Sequence, residues 1–453
     1  MKVHFIAIGG SVMHNLALAL HYKNISVTGS DDEIFEPAYS RLKNAGLLPD
    51  SFGWDQNKVT ADIDAIVLGM HARADNPELL KAKELNIPVF SFPEYIFNQS
   101  QNKTRVVIAG SHGKTSTTAM IMHVLKCCGK NFDYMVGAQL EGFDLMVKLS
   151  DAPVIILEGD EYPDSALNKT PKFLFYKANI GLITGIAWDH VNIFPTYEGY
   201  VNQFEKFIDS IEPNGDLIYN EEDSEVKKLV NKKLSTTTWI PYSTPPNKII
   251  NGKTIIQIIS EDVELNVFGK HNLQNLAGAM LVCEKLGITK SEFANAISSF
   301  GGAAKRLEKI KDTNSLIAFR DFAHSPSKLK ATIQAVANQY EGRKLIAVFE
   351  LHTFSSLSKE FLAEYKHAMN AASQQIVFYN QHSLELKKLP PLDPDFVLSN
   401  FEGTNMKVIT DKLKLETEIK NSLSYPCVLL LMSSGNFDGL DINSIINSPL
   451  KKK

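Results

Sequence analysis

Short aliphatic runs alternate with longer segments of helical length along most of the chain. The runs at residues 3–8, 154–157 and 345–349 consist almost entirely of apolar residues. Parallel strands that are covered on both faces have this composition, because neither face meets water. The pattern therefore predicts an α/β protein with mostly parallel sheets.

Two breaks divide this alternation into three stretches. The polar stretch at residues 98–104 follows the first, and the glycine pair Gly301-Gly302 closes the second. A chain of 453 residues has room for about three domains of roughly 150 residues each. We therefore expect three doubly wound domains, at residues 1–102, 103–302 and 303–453.

A glycine-rich turn lies between the apolar run at residues 105–109 and the helix that follows. Its sequence at residues 110–115 is GSHGKT, in which backbone N–H groups and the positive helix end can surround phosphate oxygens. Lys114 would meet the outer phosphates, and the Thr115 hydroxyl would bind Mg2+. A full P-loop would need glycine at position 108, where the chain has Ile108, so the match is to a shorter variant. The alternative is an ordinary turn with a surface lysine.

A second glycine turn, Gly9-Gly10, follows the first predicted strand, and Asp31 lies about 20 residues further on. This arrangement is typical of dinucleotide-binding domains, but the G-x-G-x-x-G pattern is incomplete because Ile8 and Met13 replace its outer glycines. A nucleotide diphosphate at this helix start and a tight turn without a ligand both stay open.

Acidic residues follow two later strands of the second domain. Glu158 comes directly after the run at residues 154–157, and Asp189-His190 follows the run that ends at Thr184. Ligands of α/β sheets bind at the carboxyl ends of the strands, and carboxylates there suit Mg2+. A lone histidine is usually structural, but its place in the same predicted sheet makes His190 a candidate for a second cation or a transferring phosphoryl group.

Composition excludes several classes of function. Net charge is -4, from 47 Lys and Arg against 51 Asp and Glu, and no long basic stripe suggests a nucleic-acid partner. The four cysteines have no C-x-x-C spacing, so neither a zinc site nor a disulfide framework is encoded. We expect a cytoplasmic protein without an export signal or membrane span, acting on a small molecule.

Three further segments resemble known ligand-binding patterns only when they are taken together. They contain Asn272 in GKHNLQN, Arg306 in KRLE, and Asp321 with His324 in DFAHSP. Taken singly, the asparagine is more often a helix cap, the Arg-Glu pair a surface ion pair, and the last segment a turn.

In this order, the segments resemble those of the Mur ligase family, the ATP-dependent amide-forming enzymes of peptidoglycan assembly. The phosphate turn is similar to G-T-x-G-K-T-[ST], and residues 158–162 to E-A-D-E. The later segments are similar to G-x-H-N-x-x-N, R-R-[FL]-E and D-[DY]-A-H-x-P. The resemblance covers essentially the whole chain, and it implies a UDP-sugar domain, a central P-loop ATPase domain and a Rossmann-like carboxyl-terminal domain.

The resemblance also implies roles for particular residues. Lys114, Glu158 and His190 would be catalytic, with Thr115, Glu158 and His190 holding Mg2+. The residues expected to bind ATP are Gly110, Ser111, His112, Gly113, Lys114, Thr115, Ser116, Asn272, Arg306, Asp321 and His324. Those expected to bind the UDP-sugar are Gly9, Gly10, Ser11 and Asp31.

Within the family, the segments around Gly9 and Glu158 are similar to those of the branch acting on UDP-N-acetylmuramate. Residues 431–439 and 172–176 resemble members that attach a recycled murein tripeptide, L-Ala-γ-D-Glu-meso-diaminopimelate, whereas residues 352–354 resemble members that attach L-alanine. We give residues 431–439 more weight, because the last domain holds the incoming amine. The tripeptide is therefore the expected amine substrate, and L-alanine is the alternative.

Two departures from the family pattern bear on activity. Gly185 and Ala187 stand where asparagine and an acidic residue are common, which motivates an alternative function as a nucleotide-sugar sensor without turnover. The lysine that several members carry in carbamylated form has no counterpart here, because Phe204 aligns with it, and this agrees with the muramate branch, in which that lysine is absent. An NAD-dependent dehydrogenase built on Gly9-Gly10 is a further alternative.

Overall fold

The computed structural model describes residues 1–70, 72–164, 168–189, 193–232, 237–250, 252–303, 306–424 and 426–447. Contacts between residues divide the chain into two compact units. The first contains residues 1–186, 198–243 and 278–289, and the second contains residues 187–197, 244–277 and 290–453.

The amino-terminal part of the first unit is a four-stranded parallel sheet of order β2-β1-β3-β4. Its elements are β1 (Lys2–Ile6), α1 (Ser11–Tyr22), β2 (Ser26–Ser30), α2 (Ala38–Asn44), β3 (Ala65–Leu68), α3 (Pro77–Glu84), β4 (Val89–Ser91) and α4 (Phe92–Ser100). The first strand ends before the predicted residue 8, because Ala7 turns the backbone to a φ of 69°. The Gly9-Gly10 turn therefore lies just beyond the carboxyl end of β1.

A seven-stranded sheet of order β11-β10-β9-β5-β8-β6-β7 forms the rest of the first unit, and all its pairings except β6 with β7 are parallel. Its elements are β5 (Thr104–Ala109), α5 (Lys114–Cys127), β6 (Asp133–Met135), β7 (Val147–Lys148), β8 (Val154–Glu158), β9 (Ile180–Ile183), α6 (Tyr197–Asp209), β10 (Asp216–Asn220), α7 (Ser224–Asn231) and β11 (Thr238–Tyr242). The central strands β5, β8 and β9 are almost entirely buried, as their apolar runs predict.

The first sheet of the second unit is antiparallel and has three strands, and the sequence did not predict it. Its elements are β12 (Asn247–Ile250), β13 (Lys253–Ile258) and β14 (Glu261–Leu265), followed by α8 (Lys270–Lys285), along which the chain passes into the first unit, and α9 (Lys290–Ile297). The sequence Asn251-Gly252 between two isoleucine-rich runs was the available hairpin signal.

The last sheet has six strands in the order β15-β16-β20-β17-β18-β19, parallel except for the edge strand β15. Its elements are β15 (Glu308–Asp312), β16 (Leu316–Asp321), α10 (Pro326–Gln339), β17 (Lys344–Glu350), α11 (Phe354–Leu357), β18 (Gln374–Phe378), α12 (Gln381–Leu386), α13 (Pro394–Phe401), β19 (Met406–Ile409), α14 (Lys412–Ser422), β20 (Cys427–Met432) and α15 (Ile442–Ile446). Separate apolar clusters cover its two faces.

The α/β class and the mostly parallel sheets are confirmed. The three large sheets lie within residues 1–102, 103–302 and 303–453, respectively. Among the described residues, none of the helices combines the length and apolar character needed to span a bilayer.

Candidate active site

The phosphate turn lies between the end of β5 and the start of α5, where the sequence predicts it. Thr184, at the end of the neighbouring β9, fastens it through hydrogen bonds from its hydroxyl to the carbonyls of Ala109 and His112. A Cβ on Gly110 would lie 2.0 Å from Thr184 Oγ1, so the close approach of the two strand ends requires glycine. Thr184 thus ties the turn to the carboxyl end of β9.

Lys114 begins α5, and its side chain folds back over the turn. Its Nζ lies 2.5 Å from the Gly110 carbonyl oxygen and 2.6 Å from Glu161 Oε2. Burial disfavours the charged ammonium, but the carboxylates of Glu161, Asp160 and Glu158 outweigh that cost and raise the pKa of Lys114. The lysine is therefore a fixed positive charge in the turn.

Thr115 and Glu158 meet as the sequence predicts, because β5 and β8 are adjacent parallel strands. The Thr115 hydroxyl donates to Glu158 Oε1 at 2.7 Å, and the backbone N–H of Gly137 donates to Oε2 at 3.0 Å. Hard oxygen ligands of this kind suit Mg2+, which needs only one or two carboxylates beside phosphates and waters. Within the described ranges, no group of three or more His, Cys, Asp or Glu side chains is arranged to hold a metal ion.

Sequence reasoning missed two residues beside Lys114. Glu161 is fully buried, and Tyr200, on α6, places its hydroxyl 2.8 Å from Glu161 Oε1 and 2.8 Å from Ser111 Oγ. Glu161 belonged to the recognised acidic segment, but nothing in that segment distinguishes its role from that of Glu158. Tyr200 precedes Phe204 by one helical turn and carried no signal of its own.

The structure explains why glycine stands at position 185. A Cβ there would lie 2.7 Å from His112 Cε1 and 2.9 Å from Asp223 Oδ2. Asp223 accepts hydrogen bonds from the backbone N–H groups of Ile186, Glu225 and Val226 and caps α7. A partly buried aspartate therefore provides the local hydrogen bonds at this position. Ser116, on the first turn of α5, is only partly exposed.

His190 lies outside the described residues, and its expected cation contact is not described. Its neighbour Asp189 belongs to the second unit, where Asp189 Oδ2 lies 3.3 Å from Lys328 Nζ and 3.8 Å from His324 Nε2. Burial, with the positive charge of Lys328, lowers the pKa of His324 to about 3, so its ring is neutral at pH 7. Sequence reasoning missed Lys328.

The other residues expected at ATP lie in the second unit and make structural contacts there. Asp321 accepts hydrogen bonds from the backbone N–H groups of Leu307 and Ala323, at 2.5 and 2.7 Å. The Arg306 guanidinium stacks 4.8 Å from the Phe322 ring centre.

Asn272 is buried on the first turn of α8, where its side-chain amide donates to the Phe268 carbonyl at 2.9 Å. The contacts described for Asn272, Arg306 and Asp321 are all within the protein. Their expected roles in binding ATP therefore stay predictions.

A cavity of about 1130 Å3 brings together all four residues expected at the UDP-sugar. It is lined by Gly9, Gly10, Ser11, His14, Asp31, Asp32, Glu33, Phe35, Glu36, Pro37, Ala38, Arg41, Trp54, Arg73, Asp75, Asn76, Pro77, Gln139 and Met146. The Gly9 N–H donates to Asp31 Oδ2 at 2.7 Å, and burial raises the pKa of Asp31 to about 6. Sequence reasoning missed Arg41, whose guanidinium contacts the side-chain oxygens of Asn15 (3.4 Å) and Gln139 (3.1 Å).

The motifs that favour different amine substrates lie side by side in the last sheet. Glu350, at the end of β17, accepts hydrogen bonds from the Ser433 hydroxyl and, at 2.9 Å, from the Phe437 N–H. Its other oxygen lies 3.8 Å from His352 Nδ1. Residues 431–439 and residues 352–354 therefore form one cluster around a buried carboxylate.

Comparison with known proteins gives a consistent family match along the chain. The family models that match are "Mur ligase family, catalytic domain" at residues 2–103, "Mur ligase middle domain" at residues 108–283, and "Mur ligase, glutamate ligase domain" at residues 305–435.

Curated relatives include the UDP-N-acetylmuramate--L-alanine ligase of Caldicellulosiruptor bescii, 32% identical over 391 residues and covering 83% of each chain. The enzyme of the same name from Carboxydothermus hydrogenoformans is 28% identical over 451 residues, covering 97% of this chain and 95% of the relative. The names of these relatives favour L-alanine, rather than the expected tripeptide, as the amine substrate.

Solved structures of similar fold include the UDP-N-acetylmuramate-alanine ligase of Thermotoga maritima, with a TM-score of 0.68, 21% identity and 97% coverage of both chains. The murein peptide ligase of Psychrobacter arcticus has a TM-score of 0.65, 21% identity and 100% coverage of both. With the three matched models and the 32% identical relative, the phosphate turn and its carboxylates identify the chain as a member of the Mur ligase family, the ATP-dependent amide ligases of peptidoglycan assembly.

Proposed function

We propose that this chain joins the lactyl carboxylate of UDP-N-acetylmuramate to the amino group of L-alanine. A carboxylate is a poor electrophile at neutral pH, because its charge repels the amine and oxide is a poor leaving group. Transfer of the γ-phosphoryl group of ATP to the carboxylate gives an acyl phosphate and ADP. The amine then attacks the acyl carbon, and phosphate leaves as the amide forms.

The observation that carries this proposal is the meeting of Lys114, Thr115 and Glu158 at one strand edge, around a turn fastened by Thr184. Phosphoryl transfer needs positioning and preorganised charge more than covalent chemistry. Lys114 supplies a fixed positive charge for the phosphates, and the backbone N–H groups at the start of α5 supply further donors.

Thr115 and Glu158 would hold Mg2+, which would neutralise phosphate charge during transfer. Their oxygens are 2.7 Å apart and belong to the hydroxyl and carboxylate types that this ion prefers. His190 is proposed as a further cation ligand from the family resemblance alone.

The cavity beside Gly9 supports the UDP-sugar assignment. It lies in the same unit as the phosphate turn, and its lining includes the cationic side chains of Arg41 and Arg73. Guanidinium groups form strong, charge-assisted hydrogen bonds with phosphate oxygens. The incomplete G-x-G-x-x-G pattern, with Ile8 and Met13 at its outer positions, disfavours the dehydrogenase alternative.

A murein tripeptide is the second candidate for the amine substrate. The specific feature that favours it is residues 431–439, which lie in the Glu350 cluster of the last sheet. The curated relatives favour L-alanine, and we therefore place L-alanine first.

Phosphate release tests the proposed reaction. The pure protein should release phosphate from ATP with Mg2+ only when UDP-N-acetylmuramate and an amine are both present. Lys114→Ala should lose this release but keep UDP-sugar binding. Release that needs neither acceptor would refute the ligase, and UDP-sugar binding without any turnover would favour the sensor.

A competition assay identifies the amine. Equal concentrations of L-alanine and the tripeptide are supplied together, and the two UDP-linked products are separated by mass. A dominant alanyl product supports the proposal, and a dominant tripeptide product moves the assignment to the second candidate.

A further inference from the structure

We propose that Glu161 and Tyr200 are positioning residues that hold the ammonium of Lys114 in one place while the γ-phosphoryl group is transferred. The inference rests on the proposed function, because it gives these two residues a task within phosphoryl transfer. Both residues would act through Lys114.

The first step concerns the three N–H donors of the lysine. Two of them are directed to the protein, to the Gly110 carbonyl at 2.5 Å and to Glu161 Oε2 at 2.6 Å. An ammonium has three donors, so one is left for a phosphate oxygen. The two protein contacts define where that third donor points, and only 13% of the lysine side chain is exposed.

The second step concerns what holds Glu161. Its side chain is 0% exposed, and its second oxygen lies 2.8 Å from the Tyr200 hydroxyl, which is also 2.8 Å from Ser111 Oγ. A phenol has one proton and a carboxylate only accepts, so Tyr200 donates to Glu161 and accepts from Ser111. The chain of contacts therefore starts and ends in the phosphate turn, at Ser111 and at Lys114.

The third step is electrostatic. A buried carboxylate without compensation is costly, and the Lys114 ammonium and the Tyr200 hydroxyl both contribute to the compensation of Glu161. Removal of the Tyr200 hydroxyl leaves Glu161 Oε1 without that donor. The carboxylate can then rotate, and the lysine that it anchors moves with it.

The two glutamates of the acidic segment thus have different partners and different proposed roles. Glu158 faces Thr115 and the Gly137 N–H, on the side proposed for Mg2+, whereas Glu161 faces Lys114. The tyrosine is the feature that distinguishes them, because its hydroxyl hydrogen-bonds to Glu161.

Tyr200→Phe tests the inference, with Tyr176→Phe as the matched control. Tyr176 is equally buried in the same unit, and its hydroxyl has no hydrogen-bond partner among the residues that the structure describes. We expect Tyr200→Phe to lower kcat about 10- to 100-fold, as misplacement of a reacting group does, with the KM for ATP changed less than about threefold. The backbone N–H groups of the turn still bind the nucleotide. Tyr176→Phe should keep the kcat of the unsubstituted protein.

A second measurement does not depend on turnover. In the full-length protein labelled with 15N-lysine, an anchored ammonium exchanges slowly and gives a sharp resonance, which its loss in Lys114→Ala assigns. Tyr200→Phe and Glu161→Gln should broaden or remove that resonance, and Tyr176→Phe should leave it unchanged.

The outcomes separate the two proposals. A resonance that persists in Tyr200→Phe, or a kcat equal to that of Tyr176→Phe, overturns the positioning role even if the ligase is active. A protein that makes no amide with either amine refutes the proposed function, whereas loss of the resonance in Tyr200→Phe would still establish the anchor.

Discussion

Replacement of Gly185 by alanine tests whether the crowding around the phosphate turn matters. The added Cβ would lie 2.7 Å from His112 Cε1, whereas unstrained carbon atoms stay about 3.5–4.0 Å apart. It would also lie 2.9 Å from Asp223 Oδ2. Asp223 is held by three backbone N–H groups, so the His112 side chain must move instead.

The expected cost follows from this overlap. Overpacking by one methyl group in a closed site costs about 1–3 kcal/mol. For an unfolding unit of about 150–250 residues, roughly 2 kcal/mol corresponds to a fall of about 4–8 °C in Tm. Because His112 belongs to the turn, the affinity for ATP should fall as well. Gly185→Asn, which installs the residue common in the family, should be at least as harmful because its side chain is larger.

Thermal unfolding and equilibrium binding of a non-hydrolysable ATP analogue measure both effects. Gly301→Ala is the matched control, since a Cβ at Gly301 would have no atom within 4 Å. The double variant His112→Ala with Gly185→Ala should recover at least half of the lost Tm, because the overlapping ring is gone.

Two results would refute the reasoning. In one, Gly185→Ala melts at the same temperature as Gly301→Ala and binds the analogue as tightly as the unsubstituted protein does. In the other, Gly185→Ala is destabilised, but removal of the His112 ring restores nothing, so that the overlap is not the cause.

Three further predictions concern stability and substrate binding. Arg105→Met should lower the free energy of unfolding by about 3–5 kcal/mol in denaturant titrations, because the substitution leaves a partly buried carboxylate and several carbonyl groups without their donor. Glu78 is buried, which by itself raises its pKa, but hydrogen bonds and the contact with His4 outweigh burial and lower it. The resulting stability should be present above the ordinary pKa of 4.5 and lost as pH falls through the lowered value, and Glu78→Gln should flatten this dependence in unfolding curves measured from pH 6 to pH 3. Arg41→Met should raise the Kd for UDP by roughly 10- to 100-fold in calorimetry, because charge-assisted hydrogen bonds contribute about 1.5–3 kcal/mol, and an unchanged Kd would exclude Arg41 from the diphosphate site.

The sequence predicts the fold class because the cause is local. A strand covered on both faces must be apolar along its whole length, and the runs that become β5, β8, β17 and β20 have that composition. The turn at residues 110–115 is also a local feature, since its glycines, lysine and threonine act through the backbone that carries them.

The small antiparallel sheet shows where local patterns were insufficient. Strand β12 is exposed at every residue, and β13 and β14 are only partly buried, so their composition differs little from that of loops. The residues expected at ATP in the second unit show a related difficulty. Asp321 was recognised by its motif, but the backbone groups that it binds became visible only in the fold.

The partners of each site residue were decided by tertiary structure. Lys114 meets Glu161 across 47 positions of sequence, Tyr200 meets Glu161 across 39, and Arg41 meets Gln139 across 98. The chain itself determined the parallel sheets and the phosphate turn, because strand and turn preferences depend on neighbouring residues. Which of two similar glutamates anchors the lysine depended on the order of strands in the sheet and on the helix packed beside it, and distances of that kind are set only when the whole chain has folded.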